Sequence, residues 1–380
     1  MISRTRYVNG VKKAIGRSPV TAILGPRQCG KTTLAKFVCN DFESTYLDLE
    51  SRVTLRRLEN PEMLFASLSG LVVIDEIQLM PELFSTLRVV VDDDCNKCRF
   101  LILGSASPHI VKGASETLAG RIEFIDMRGF DSEELEFENT QRLWLRGGFP
   151  RSYLAGDDND SYSWRNGFIR TFLERDIPQL GIKVPAPMMQ RFWTMLAHFH
   201  GKTWNASSVA ASLGISYKTV QSYLDILTQT FMIRQLQPWH ENIKKRQVKS
   251  PKIYFCDSGL LHNLLEIRTF EALLGNPQCG ASWEGFAVEQ VLRMVGLSQA
   301  YFWATHNGAE LDMFFIVDGK RYGIEFKLNE APSKTKSMSI AVDTLGLDKL
   351  LVVYPGSETW QFTEKIIVSP LEKILDFMPK

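Results

Sequence analysis

No window of the chain approaches the roughly 18 apolar residues of a membrane span. Residues 1–19, MISRTRYVNGVKKAIGRSP, lack the apolar centre of a signal peptide. The expectation is a cytoplasmic protein without a membrane partner. Excess charge is missing too: 44 Lys and Arg against 43 Asp and Glu leave a net charge of +1. Any affinity for nucleic acid must then come from a local patch. Cysteine is sparse, with six residues scattered over the length, which fits reduced thiols. Cys95 and Cys98 form a C-x-x-C with no second pair spaced for zinc, so the spacing reads as incidental. Low-complexity tracts and internal repeats are absent. What is present is ordinary globular composition, 44% hydrophobic and 23% charged, over 380 residues. That length is too great for one core and implies two to four domains.

The most informative stretch is Gly25-Pro26-Arg27-Gln28-Cys29-Gly30-Lys31-Thr32, followed by Thr33. It reads G-x-x-x-x-G-K-T, a phosphate-binding loop. The apolar run Pro19 to Leu24 precedes it as a buried strand, and Thr32 to Cys39 follows with helical spacing. Gly25 and Gly30 let backbone N–H groups turn toward phosphate oxygens without an obstructing Cβ. The helix N-terminus contributes positive potential. Lys31 is placed to neutralise the β- and γ-phosphates of ATP, and Thr32 to ligate Mg²⁺.

Ser44 to Leu49 reads as a second strand with Asp48 and Glu50 at its carboxyl end. Gly70 to Glu76, GLVVIDE, is a buried strand that delivers two carboxylates to the nucleotide edge. Asp75 then belongs to the Mg²⁺ shell, and Glu76 is the base that polarises the attacking water. Ile77 to Val91 reads as a helix, and Arg99 to Leu103 as another strand. That strand ends at Ser105, the first candidate to sense the γ-phosphate, with Ser107 the second. The alternation of strand and helix predicts an α/β core with a parallel sheet covered on both faces.

GPRQCGKTT, LVVIDEIQLMPELFSTLRVVVD, FLILGSASPHIV, ETLAGRIEFIDM and GGFPRSYLA follow in that order. Together they resemble a family of AAA-type ATPases whose core is joined to a C-terminal domain of unknown function. The resemblance spans nearly the whole chain. It implies that Arg121 is an arginine finger donated to a neighbouring subunit, and hence a homo-oligomeric ring or arc. A surface salt bridge is the competing reading of Arg121. Arg151 is a weaker candidate for a lid arginine. Residues 130–187 are then a helical lid and linker, with Asp131, Glu133, Glu134, Glu136 and Glu138 on a solvated helix face. In this segment Phe168 to Ile182 has helical spacing, and Arg175 and Asp176 are placed to pair.

In residues 188–265 a short helix, the turn Leu213 to Ser216 and a second helix with Val220, Leu224 and Leu227 inward form a helix-turn-helix pattern. Tyr217, Lys218, Gln221 and Ser222 face outward. Lys244, Lys245, Arg246, Lys249 and Lys252 lie between two candidate strands, where the wing of a winged helix belongs. Helix and wing make a candidate DNA-binding patch, although such domains also serve as protein contacts.

In residues 266–380, Glu284 and Glu289 lie on a helix, Asp312 on a strand and Glu325-Phe326-Lys327 on the strand that returns from Asp318-Gly319. Asp followed by E-x-K resembles the PD-(D/E)xK restriction-endonuclease-like superfamily. The chemistry expected there is Mg²⁺ held by Asp312, Glu325 and the Phe326 carbonyl, with Glu284 contributing and Lys327 activating water. Solvated or salt-bridged side chains are the alternative. The full expectation is a Mg-dependent ATPase acting on DNA, with core 1–129, lid 130–187, winged helix 188–265 and nuclease-like domain 266–380. The alternative is a nucleotide-controlled switch that binds protein or a promoter, with the last domain as scaffold.

Overall fold

The computed structural model describes residues 2–105, 114, 116–137, 139–240, 249–297, 299–306 and 308–378. The chain divides into two compact units, residues 1–130 with 229–231, and residues 131–228 with 232–380.

The first unit is built on five parallel strands: β1 (Val20–Gly25), β2 (Ser44–Asp48), β3 (Gly70–Asp75), β4 (Cys98–Ser105) and β5 (Ile122–Asp126). Their spatial order is β2-β3-β4-β1-β5. Near-continuous apolar sequence in β1, β3 and β4 lets both faces of the sheet be covered. On one face α1 (Thr5–Arg17) and α2 (Lys31–Cys39) pack Val11, Ile15, Leu34 and Val38 against Ile23, Val73, Leu101 and Leu103. The alternate strand residues Ala22, Leu24, Val72, Ile74, Phe100 and Ile102 face the opposite core. That core receives Leu58 and Phe65, near and within the short helices α3 (Arg52–Arg57) and α4 (Pro61–Ala66), and the apolar side of α5 (Leu83–Asp92). The helix expected from Ile77 begins only at Leu83, because Pro81 drives Met80 out of helical geometry. Ile77–Leu79 is a single 3-10 turn instead.

In the second unit, eight strands form a mixed sheet in the order β12-β13-β11-β10-β9-β8-β6-β7. They are β6 (Ile233–Pro238), β7 (Lys252–Phe255), β8 (Tyr301–Ala304), β9 (Glu310–Val317), β10 (Lys320–Phe326), β11 (Lys349–Tyr354), β12 (Trp360–Gln361) and β13 (Ile366–Pro370). Positive φ at both Asp318 and Gly319 makes the tight β9–β10 hairpin. β6 and β7 pair antiparallel, and β6 also joins β8, so this hairpin edges the larger sheet. The helix-turn-helix forms from Ala206–Leu213 and Tyr217–Gln229, with Gly214 left-handed between them and Val220, Leu224 and Leu227 fully buried.

Three expectations are corrected in this unit. The acidic run from Asp131 forms turns and not a helix: Glu133 and Glu136 are exposed as expected, Glu138 lies outside the described residues, and Asp131 is fully buried, its carboxylate accepting the Glu134 N–H at 3.0 Å. Residues 168–182 do not form one regular helix. The helix Asp158–Thr171 widens into a π turn over Phe172–Asp176 before Ile177–Gln179. Arg175 and Asp176 do pair there, at 3.1 Å. After the last strand the sequence reads as a terminal helix that completes the domain, and the structure makes it a 3-10 stretch, Leu371–Phe377.

Candidate active site

The carboxyl ends of β1, β3 and β4 bring the first group of candidate residues together. Gly25 sits opposite Ser105 in register, and β4 lies between β1 and β3. A Cβ at Gly25 would come within 2.1 Å of the Met127 carbonyl oxygen, so only glycine fits the turn. Gln28 and Gly30 both adopt positive φ, which curls the loop into the start of α2. Pro26 is buried, Arg27 half-buried and Gln28 exposed. The Cys29 side chain is buried against Met127, so only its backbone faces the loop interior. Arg4, missed in the sequence, fastens this loop by donating to the carbonyls of Cys29 at 3.1 Å and Arg128 at 2.9 Å.

The Lys31 ammonium is buried and donates to the Gly25 and Pro26 carbonyls, both at 2.9 Å. Those carbonyls occupy the hydrogen-bonding capacity that phosphate oxygens would take. Thr32 Oγ1 donates to Asp75 Oδ2 at 2.9 Å, so two hard oxygen ligands meet where Mg²⁺ would be held. Thr33 is exposed one residue further along the helix. The donor set fits ATP and Mg²⁺: a cation, a helix N-terminus, a hydroxyl and a carboxylate converge on one loop.

Two further residues complete this arrangement. Tyr46, on β2, donates its phenol proton to the same Asp75 oxygen, and burial together with that bond raises its pKa. Gln78 donates to Glu76 Oε2 and accepts the Ser105 N–H at 3.3 Å. Glu76 itself holds a left-handed backbone at φ 58°, an uncommon conformation for a non-glycine residue. Asp48, by contrast, is used locally: its carboxylate accepts the Glu50 N–H at 2.9 Å.

Arg121 precedes β5, the neighbour of β1, at the end of the strands opposite the loop. Its carbonyl accepts the Val20 N–H at the start of β1, roughly 16 Å of strand from Gly25. The guanidinium forms a two-pronged exposed ion pair with Asp92, which lowers the Asp92 pKa. Arg121 therefore cannot reach the loop of its own chain. Ser107 lies outside the described residues, and Arg151 is exposed on the short helix Pro150–Tyr153 of the second unit.

In the second unit Glu284, Asp312, Glu325 and Lys327 converge around Lys252, which the sequence pattern places in the basic wing tract and which is instead buried among these acids. Its ammonium lies 3.4 Å from Glu284 Oε1 and 3.2 Å from Asp312 Oδ1. Tyr254, two residues along β7 on the same face, donates to Glu284 Oε1 as well. Asp312 Oδ2 accepts the Phe326 N–H at 3.1 Å, and Lys327 pairs with Glu325 Oε2 at 2.9 Å. Glu325 Oε1 is buried without a hydrogen-bond partner. Burial, and then the Asp312 charge, raise both Glu284 and Glu325 above the ordinary carboxylate range. Among the described residues no three His, Cys, Asp or Glu side chains are arranged to hold a metal. A lysine stands among the acids expected to hold Mg²⁺. Glu289 is engaged elsewhere, paired with Arg234.

Of the expected DNA-facing residues, Tyr217 and Lys218 are exposed, and so is Lys249. Gln221 is half-buried and donates to Asp225 at 3.0 Å. Lys244, Lys245 and Arg246 lie outside the described residues. No described helix is long and apolar enough to cross a membrane.

A glycine loop on a strand–helix junction, with Thr32, Asp75 and Glu76 around it, defines the site of a P-loop ATPase. Residues 17–136 match an AAA domain, 137–271 a domain of unknown function (DUF8612) and 279–374 another (DUF4143). Uncharacterised proteins of Mycobacterium tuberculosis and Mycobacterium bovis are each 44% identical over 99% of this chain and 85% of their own length. A Walker-type ATPase of Pyrococcus abyssi shares the fold, with a TM-score of 0.52 at 16% identity over 70% of this chain and 96% of that one. The chain belongs to an AAA-type P-loop ATPase family, together with these mycobacterial proteins.

Proposed function

We propose that this ATPase is Mg²⁺-dependent, works as a homo-oligomer in the cytoplasm and couples ATP hydrolysis to the handling of DNA. The observation that carries the hydrolytic part is the meeting of Thr32 and Asp75 at 2.9 Å beside Glu76. ATP supplies the γ-phosphoryl group, and Mg²⁺ would offset its charge from Thr32 and the Asp75 shell. Lys31 binds and orients the phosphates, while Glu76 takes the proton of the attacking water.

The DNA part is supported by the helix-turn-helix, whose second helix leaves Tyr217 and Lys218 in solvent. In this reading residues 130–187 serve as lid and linker, 188–265 as a winged helix and 266–380 as a nuclease-like domain that contacts the substrate. A second reading, a nucleotide-controlled switch with that last domain as scaffold, is favoured by the lysine among its acids. ATP turnover measured across single-stranded, duplex and branched DNA, with cleavage products read from the same tubes, separates the two. DNA-stimulated turnover that disappears in Glu76→Gln supports the first reading. Turnover indifferent to every DNA form rejects it.

A further inference from the structure

We propose that the Lys252 ammonium is the built-in cation of the second unit's acidic cluster, held where Glu284 and Asp312 would otherwise share a divalent ion. The inference stands apart from whether the ATPase acts on DNA. Both carboxylates direct an oxygen to the same ammonium, at 3.4 and 3.2 Å. Mg²⁺ would need those oxygens at about 2.1 Å, in the space the ammonium fills.

Several of the cluster's other contacts are also made within the protein, although Glu325 Oε1 is buried without a hydrogen-bond partner. Asp312 Oδ2 is held by the Phe326 N–H, Glu284 Oε1 also takes the Tyr254 phenol, and Glu325 Oε2 takes Lys327. A dication entering beside Lys252 would meet like charge at close range with little water between them. Nor is the lysine a mobile surface group that could swing aside. It is 5% exposed on β7, and its backbone is pinned by pairing with Leu236 and by a bridge to Thr203. The Phe302 ring lies 5.7 Å from the ammonium and closes another side.

Charge balance follows the same plan. Glu284, Asp312 and Glu325 face Lys252 and Lys327, so two ammonium groups offset most of the charge of three acids without any ion from solution. Removing Lys252 would leave buried carboxylates uncompensated, which a protein relieves by taking up a proton or a cation.

The test measures Mn²⁺ binding by electron paramagnetic resonance on the nucleotide-free full chain, in the wild type, Asp312→Asn, Lys252→Ala, Lys252→Met and the Lys252→Ala/Asp312→Asn double variant. The wild type should show no Mn²⁺ site that Asp312→Asn removes. Lys252→Ala should gain one, at least about tenfold tighter than any wild-type binding, and the double variant should lose it. Weak binding at the phosphate loop is common to all the proteins and cancels in the comparison. A wild-type Mn²⁺ site abolished by Asp312→Asn would overturn the proposal, as would folded lysine variants that gain no site. If Lys252→Ala does not fold, Lys252→Met keeps the apolar stem, and the wild type against Asp312→Asn decides by itself.

Discussion

The phenol of Tyr46 donates to Asp75 Oδ2, the same oxygen that receives the Thr32 hydroxyl. Two donors from β2 and α2 thus fix one carboxylate from β3 before any metal arrives. Groups that orient a metal's carboxylate act through position, and their loss costs activity more than folding. Tyr46→Phe keeps the ring, which sits half-buried on β2. Its turnover should fall about tenfold while equilibrium ATP binding stays within about twofold. Steady-state kinetics beside nucleotide titration checks this, and an unchanged kcat would remove Tyr46 from the catalytic arrangement.

Gln78 makes the corresponding link for the base. Its amide nitrogen donates to Glu76 and its amide oxygen takes the Ser105 N–H, which ties the end of β3 to the end of β4. With Glu76 in a left-handed conformation, the carboxylate's direction depends on that support. Gln78→Ala should lower kcat about tenfold to a hundredfold with little change in KM for ATP. Gln78→Glu should be worse, because a second carboxylate would repel Glu76. Wild-type turnover in both variants would show that Glu76 is oriented by other means.

Much of this site was legible in the sequence because its chemistry is contiguous. The loop, its helix and the strand ending in Asp75-Glu76 each carry a local pattern, and apolar runs such as Val72 to Ile74 mark buried strands. The role of Tyr46 is not legible, and Lys252 reads as a wing residue, since each acts across strands on partners far away in the chain: Asp75 for one, Glu284 and Asp312 for the other. Spacing along one strand does not say which neighbour a side chain will meet. Gln78 had a faint signal, two residues beyond Glu76, but its role needed β4 alongside. The acidic run at Asp131 misled for the opposite reason. Composition suggests a solvated helix face, which holds for the exposed Glu133 and Glu136, but there is no helix, and Asp131 is buried with its carboxylate accepting a backbone N–H.

Arg121 lies at the wrong end of the strands to serve its own loop, and its intrachain partner is Asp92. If the guanidinium serves catalysis, it does so in a second copy, exchanging an exposed ion pair of little worth for a phosphate. Arg121→Ala alone should then lose at least about a hundredfold in kcat. Mixed with Lys31→Ala, it should recover activity, because one subunit keeps an intact loop and the other the arginine. Turnover of mixtures across a range of ratios tests this. Activity no greater than the sum of the separate variants would assign Arg121 to the surface ion pair alone.

Two buried imidazoles set an acid limit on the second unit. His200 Nδ1 accepts the Phe255 N–H at 3.0 Å, and His262 lies between the Leu145 carbonyl at 2.9 Å and Ser282 Oγ at 2.6 Å. Burial pulls the pKa of each down to about 3. Both are therefore neutral in the folded protein, whereas the unfolded chain protonates them near pH 6.5. Below pH 6.5 the unfolded state binds more protons, so stability is full above that value and falls as pH drops toward 3. At pH 5 the loss is about 2 kcal/mol for each imidazole. Urea unfolding of the second unit should show this fall between pH 7 and pH 5, and His262→Gln should reduce it by about one imidazole's share. Equal pH dependence in the wild type and His262→Gln would mean that other groups govern the acid limit.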